Sequence, residues 1–115
     1  MLIFKIVSQD DWRKAMVDGV YTGSKDDRRD GFIHLSAADQ IAGTAAKHFA
    51  DSDNLVLIAF DVSDLQDTLK WEVSRGGERF PHVYGTLDPA RAKWLRPMPL
   101  GAGGHVIPPL EAADD

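Results

Sequence analysis

The sequence predicts an α+β fold, a compact single domain with mostly antiparallel sheet and two early helices. Helical patterns occur only before residue 50, whereas short strand patterns continue from residue 54 without helices between them. The length of 115 residues and the 43% hydrophobic content suit one core. That core is predicted to occupy residues 1–100. Residues 101–115, with glycines, paired prolines and terminal aspartates, have little to bury and predict a loosely ordered tail.

The chain begins with a predicted strand and helix. Residues 2–7 are rich in aliphatic and β-branched side chains, which is typical of a strand. Ser8 can cap the helix that follows, and Gly19 can end it. Residues 20–30 are polar and show neither the helical nor the strand periodicity of apolar residues, so they predict a loop.

The second strand carries a histidine. Its sequence Asp-Gly-Phe-Ile-His-Leu-Ser places Ile33 and Leu35 on one side of an extended chain and His34 on the other. Ser36 then predicts the N-cap of a helix over residues 36–50. Because the N-terminus of that helix would lie beside His34, an anion such as a phosphate or carboxylate is favoured there.

Further strands follow the second helix. Residues 55–60 form a continuous apolar run, which predicts a central strand that is covered on both faces. Residues 69–74 alternate between apolar and polar side chains, residues 82–86 carry a second histidine, and Trp94 marks a last strand. Residues 75–79, between the segments 69–74 and 82–86, are charged and contain two glycines, which predicts a flexible loop.

Composition excludes several classes of function. The net charge of −5 and the pI near 5.2 leave no basic surface for duplex nucleic acid. The chain has no cysteine, which excludes disulfides and thiolate chemistry. No apolar run approaches the length of a membrane span, and no signal peptide is recognised, so we expect a cytoplasmic protein that acts away from membranes.

The two histidine strands contain the best candidates for chemistry. His34 can hold a ribose hydroxyl or act as a general base, or it can be a hydrogen-bonded histidine of the core. Ser36 can contact a ligand or serve only as a cap. His82 and Tyr84 follow Pro81 on one face of their strand, where they either line a pocket or form a structural pair at the rim of the sheet.

Charged residues supply a second group of candidates. Glu72 can be a general acid or base, a carboxylate that orients a histidine, or a solvated surface residue. Arg75 and Arg79 flank a Gly-Gly loop and can clamp a carboxylate or phosphate, or they can simply be exposed. His34, His82 and Glu72 also match the ligand types of iron and zinc sites, but the sequence lacks a short His-x-His or His-x-x-x-His spacing.

These motifs resemble a family of small bacterial and plant proteins, the domain of unknown function 952. The resemblance rests on Gly-Phe-Ile-His-Leu-Ser and Phe-Pro-His-Val-Tyr-Gly, together with Trp-Glu at 71–72, and it covers most of the chain. The family is similar in fold to ADP-ribosyltransferases, which bind NAD between two small antiparallel sheets. The resemblance implies that NAD or a related nucleotide is bound, that His34 contacts the nicotinamide ribose, that Tyr84 stacks on a ring and that Glu72 is the catalytic carboxylate.

The sequence therefore predicts a binder of a nucleotide, NAD-like or phosphorylated small molecule, with a possible ADP-ribosyltransferase-like activity. Its catalytic residues would be Glu72 and His34. Its ligand-binding residues would be His34, Ser36, Arg75, Arg79, His82 and Tyr84. Two alternatives stay open: a non-catalytic interaction module with structural histidines, and a metal-dependent hydrolase that uses His34, His82 and Glu72.

Overall fold

The structure is a computed structural model that describes residues 1–111, apart from the side chain of Arg75. In these residues three α-helices and eight strands form one α+β unit. The helices are α1 (Gln9–Asp18), α2 (Lys25–Asp30) and α3 (Ile41–His48). The strands are β1 (Leu2–Ser8), β2 (Ile33–His34), β3 (Leu55–Asp61), β4 (Leu69–Val73), β5 (Arg79–Val83), β6 (Trp94–Pro97), β7 (Leu100–Gly101) and β8 (Gly104–His105). None of the three helices is long and apolar enough to cross a membrane.

All the strand pairings described are antiparallel, which confirms the predicted fold class. One sheet has the order β1-β3-β6, a second has the order β2-β5-β4, and β7 pairs with β8 in a hairpin. Strand β3 lies at the centre of the first sheet. Its apolar run is buried throughout, as the sequence predicts, because alternate side chains enter two separate core clusters.

The two core clusters lie on opposite faces of the first sheet. Val56, Ile58 and Phe60 of β3 pack with α1 and with residues of the second sheet. Leu57 and the side chains on the same face of β3 pack with α3. They also pack with Ile107 and Leu110 in the C-terminal segment. Each face of the sheet is therefore covered, and α3 is held against it by its apolar side.

A short backbone bridge joins the two sheets next to the first histidine. Phe4 N donates to Ser36 O at 2.9 Å, and Ser36 N donates to Phe4 O at 2.8 Å. The chain that leaves β2 is thus pinned to β1. As a result Lys5 of β1 lies beside His34, whose carbonyl oxygen accepts a hydrogen bond from Lys5 Nζ at 2.8 Å.

Helix α1 begins and ends where the sequence predicts. Ser8 Oγ accepts from Asp11 N at 3.1 Å and caps the first turn. Gly19 ends the helix with φ of +78°, a left-handed conformation that favours glycine.

The loop predicted over residues 20–30 is wrong in its second half, because residues 25–30 form α2. Ser24 and Asp27 cap this helix reciprocally: Asp27 N donates to Ser24 Oγ at 3.1 Å and Ser24 N donates to Asp27 Oδ2 at 2.9 Å. The helix has only 6 residues and no apolar stripe, so its sequence lacks the periodicity by which helices are recognised.

The predicted N-cap at Ser36 is also wrong. A 3₁₀ turn over Ala38–Gln40 precedes α3, and Ala37 rather than Ser36 occupies the cap position. Gln40 replaces the missing cap, because its Oε1 accepts from Ala37 N at 2.9 Å. Its Nε2 donates to the carbonyl oxygen of Arg79 at 2.7 Å, which ties the start of α3 to β5.

The tail predicted to be loose packs onto the fold as far as residue 111. Ile107 and Leu110 contact the core cluster beneath α3, and Trp94 Nε1 donates to Glu111 O at 3.0 Å. His105 Nε2 is 2.7 Å from Ser52 O. Widely spaced apolar residues anchor this segment, so its low overall hydrophobicity does not reveal the packing. Residues 112–115 lie outside the described part of the chain.

Candidate functional site

A cavity of about 290 Å³ lies between α2, α3 and the strands that carry the histidines. Asp27 and Asp30 line it from α2, and Thr44 and Lys47 line it from α3. Its remaining wall includes His34, Ser36 and His82. The cavity therefore brings together both histidines predicted from the sequence.

The two histidines face each other across β2 and β5. His34 and His82 are register partners in the antiparallel pair, and their ring centroids are 5.5 Å apart. The Phe32 ring is stacked on the His82 ring with centroids 4.1 Å apart, and its centroid is 4.6 Å from that of His34. Cross-strand partners share one face of a sheet, so pairing in this register places both imidazoles at one cavity.

His34 lies between two carboxylates of α2. Its Nδ1 is 2.6 Å from Asp27 Oδ1, and its Nε2 is 2.9 Å from Asp30 Oδ2. Its backbone N–H also donates to Asp27 Oδ1, at 3.0 Å. Because an ionised carboxylate only accepts hydrogen bonds, both side-chain contacts are hydrogen bonds when each ring nitrogen carries a proton.

Asp27 forms a buried ion pair with Lys5. The two side chains are 2% and 6% exposed, and Lys5 Nζ is 2.9 Å from Asp27 Oδ2. Burial alone would raise the pKa of Asp27, but the hydrogen bond from His34 and the charge of Lys5 outweigh it and hold that pKa well below its usual range. Burial lowers the pKa of Lys5, and the charge of Asp27 offsets this only in part.

His82 has a different set of contacts. Its Nδ1 is 2.8 Å from Glu72 Oε1, and Tyr84 Oη donates to the same oxygen at 2.7 Å. These two hydrogen bonds lower the pKa of Glu72, and the carboxylate in turn raises the pKa of Tyr84. The His82 Nε2 is buried and has no hydrogen-bond partner among the described residues. Since an ionised Glu72 fixes the proton on Nδ1, a neutral His82 has a free acceptor at Nε2.

Only part of the predicted set lines the cavity. His34, Ser36 and His82 do so, and Ser36 Oγ donates to Thr44 Oγ1 at 3.4 Å. Glu72 and Tyr84 lie outside the described cavity wall, and the side chains of both are joined to the His82 side chain by hydrogen bonds at Glu72 Oε1. Arg79 is exposed and also lies outside that wall, and the side chain of Arg75 lies outside the described part of the structure.

The geometry does not converge on a metal ion. Within residues 1–111 no group of three or more histidine, aspartate or glutamate side chains is placed to hold one. Both nitrogens of His34 contact α2 carboxylates, whereas Glu72 approaches His82 from the edge that bears Nδ1. The three ligands of the hydrolase alternative therefore do not share one point in space.

Three functional candidates were missed in the sequence: Lys5, Asp27 and Asp30. Lys5 lies among apolar residues of a strand, a position where a lysine needs a buried partner. Ser24 and Asp27 stand three residues apart, which is the spacing of a capping box. That spacing would have indicated both the helix and the inward-facing carboxylate.

The comparisons with known proteins agree with the motifs. The family model described as "Protein of unknown function (DUF952)" matches residues 6–95. This chain belongs to that family. No curated protein matches the chain.

Solved structures of one relative support the fold. The crystal structure of protein CC0527 from Caulobacter crescentus is 46% identical, with a TM-score of 0.87 over 91% of this chain and 92% of that chain. The solution NMR structure of CC0527 is also 46% identical, with a TM-score of 0.81 over 90% of each chain. The three-dimensional arrangement is thus similar to that of a relative solved by two methods.

Proposed function

We propose that this DUF952 protein binds a nucleotide or another phosphorylated small molecule in the cavity between α2 and α3. The observation that carries the proposal is the pair of neighbouring imidazoles, one of which has a buried nitrogen with no hydrogen-bond partner within residues 1–111. Such a nitrogen is costly in a folded protein, by about 1–3 kcal/mol, unless something bonds to it. A ligand hydroxyl that donates to His82 Nε2 would recover this cost.

Other groups of the cavity suit the phosphate and the nonpolar part of such a ligand. Hydroxyl groups of Ser36 and Thr44 and the exposed cation Lys47 provide contacts for a phosphate. Lys47 has no ion-pair partner among the described residues, so its charge is available. The apolar side chains of Leu35 and Phe80 supply the nonpolar surface that ligand cavities usually have.

The size of the cavity limits what it encloses. A volume of about 290 Å³ is at the lower end of ordinary ligand sites, which span about 300–1,000 Å³. The cavity therefore suits a sugar phosphate or one half of a dinucleotide such as NAD, with the rest of a longer ligand outside.

Our proposal is binding rather than ADP-ribosyl transfer. In a transfer reaction a carboxylate must stabilise the positive charge that develops on the ribose. Glu72, the residue that the family resemblance suggests for this role, contacts His82 and Tyr84 outside the cavity wall. Its position favours a different role, which is to orient the ring of His82.

The alternative of purely structural histidines predicts two closed, internally bonded rings. His82 is 5% exposed, but the His34 side chain is 35% exposed, and both line the cavity. The His82 ring is closed as that alternative predicts, so the exposure of His34 and the cavity that both rings line are what favour the binding proposal.

A thermal-shift experiment tests the proposal. The wild-type protein is heated with NAD, ADP-ribose, AMP or ribose 5-phosphate, since a ligand that binds only the folded state raises Tm. At least one of them should raise Tm in the wild-type protein and not in His82→Phe, which keeps the ring stacked on Phe32 but lacks Nε2. His105→Gln, in the β7–β8 hairpin and outside the cavity wall, is the control and should respond as the wild type does. Equal shifts in His82→Phe, or no shift with any of the four, would contradict the proposal.

A further inference from the structure

The Asp30 carboxylate lies beside His34, against a set of hydrogen-bond donors that would suit the oxyanion of a ligand. Asp30 Oδ2 is 2.9 Å from His34 Nε2. The same carboxylate forms a two-pronged pair with Arg29, from Nε to Oδ1 at 2.9 Å and from Nη2 to Oδ2 at 3.2 Å. An imidazole N–H and a guanidinium fork are the donors that proteins use to bind phosphates and carboxylates.

Resting on the function proposed above, we infer that Asp30 is an internal competitor: its carboxylate occupies the subsite at His34 Nε2 and Arg29 where an oxyanion of the ligand binds. The oxyanion is a phosphate or carboxylate group. Asp30 leaves when that group arrives. Asp30 therefore sets both the affinity and the charge preference of the cavity.

The other nitrogen of His34 shows why the subsite lies at Nε2. Nδ1 is held by Asp27, which is 2% exposed and paired with Lys5, so a ligand cannot reach or displace that contact. Asp30 is 32% exposed and lines the cavity. The exposed edge of the His34 ring is thus closed only by a side chain that can rotate into solvent.

The position of Asp30 in α2 also makes its contact replaceable. Asp30 is the last residue of the helix, where the dipole disfavours negative charge. Gly31 follows with φ of +86°, and a Cβ built there would meet nothing within 4 Å, so open space adjoins the end of α2. Replacing Asp30 by alanine should therefore leave the helix intact and open the subsite.

Asp26 supplies a matched control. It also lines the cavity, it carries the same charge, and it also pairs with Arg29, at 3.3 Å. Of these two residues, Asp30 contacts His34 Nε2, whereas Asp26 has no contact with His34 among the described residues. A general electrostatic effect would appear equally in Asp26→Ala and Asp30→Ala, whereas competition at His34 would appear in Asp30→Ala alone.

The experiment is an NMR titration of inorganic phosphate, followed at the backbone amide resonances of Leu35 and Ser36, which line the cavity and are unchanged in every variant. Asp30→Ala should bind phosphate about tenfold more tightly than the wild-type protein, the gain expected if the open arrangement is populated at about one tenth. Asp26→Ala should stay within about twofold of the wild type, because its charge does not block Nε2. Adding His34→Asn to Asp30→Ala should abolish the gain, because asparagine can still donate to Asp27 but lacks Nε2.

The outcomes separate this inference from the function on which it rests. If AMP or ADP-ribose stabilises the wild-type protein but Asp30→Ala binds phosphate no better than Asp26→Ala, the inference is overturned and the proposed function stands. If Asp30→Ala gains affinity and the gain survives His34→Asn, the subsite is elsewhere and the inference is again overturned. If neither the wild type nor Asp30→Ala binds phosphate, and none of NAD, ADP-ribose, AMP and ribose 5-phosphate stabilises the wild type, both are overturned.

Discussion

His34 and His82 are partners in one register, yet the surroundings of the two rings differ in almost every respect. The His34 ring is partly exposed but is anchored to a carboxylate that is 2% exposed. The His82 ring is buried but is anchored to Glu72, which is 38% exposed. One imidazole therefore depends on a buried charge network, and the other depends on a surface residue.

This difference predicts separate effects on stability and on the proposed ligand binding. A buried carboxylate that pairs with Lys5 and His34 joins β1, α2 and β2, so its loss should affect the whole fold. A partly exposed carboxylate with two hydrogen bonds can fix the orientation of a ring without holding strands together. We expect mutations of Asp27, which anchors His34, and of Glu72, which anchors His82, to produce different kinds of defect.

The largest effect should come from removing the buried anchor. Asp27→Ala should destabilise the protein by about 3–5 kcal/mol, because it leaves the Lys5 charge buried without a partner. Urea unfolding followed by circular dichroism measures this loss. Glu72→Ala should shift the urea midpoint far less, and the comparison between the two histidines would fail if the two variants lost equal stability.

A double variant identifies the cause of that loss. Lys5→Met/Asp27→Asn removes both charges and keeps one side-chain oxygen, which can accept from the backbone N–H of Ser24 or of His34 but not from both, as Oδ2 and Oδ1 of Asp27 do. It should recover a large part of the stability that Asp27→Ala loses, since no unpaired buried charge remains. No recovery would mean that the ion pair is not the main contribution of Asp27.

The second effect is a loss of stability at low pH. The folded pKa of Asp27 lies below its ordinary value of 3.8, so the group binds protons more readily in the unfolded chain. Its contribution to stability is therefore complete above about pH 4 and is lost as the pH falls toward the folded pKa. Urea midpoints measured from pH 6 to pH 2 should fall more steeply for the wild type than for Lys5→Met/Asp27→Asn. Parallel curves would contradict the ion-pair assignment.

The smallest effect on stability should accompany a change at His82. With Glu72 present, neutral His82 should carry its proton on Nδ1, which nitrogen-15 NMR reports directly. Glu72→Ala should shift the proton toward Nε2, because the acceptor at Nδ1 is gone. An unchanged tautomer would show that Glu72 does not control which nitrogen of His82 carries the proton.

The sequence predicted the features that depend on periodicity and on local caps. The central strand followed from a continuous apolar run, and α1 followed from Ser8 and Gly19. The sequence also indicated that both histidines project from strands. Their meeting at one cavity depends on the register of β2 and β5, and residues separated by 48 positions do not determine a register by themselves.

The missed features depend on long-range contacts of short segments. Helix α2 is too short and polar for a helical pattern, so its carboxylates were assigned to a loop. Gln40, not Ser36, caps the turn before α3, because its side chain reaches both Ala37 N and the backbone of β5. Ile107 and Leu110 fix a segment whose composition is otherwise typical of a loose tail.

The bond from Gln40 to Arg79 has one more consequence. It fastens the entrance of α3 to the strand that carries His82, while Asp27 fastens α2 to the strand that carries His34. Either helix would have to break a partly buried polar contact to move outward, which costs free energy. The gap between the two helices would therefore have a fixed width. The size of a molecule would decide whether it enters, without a conformational closure.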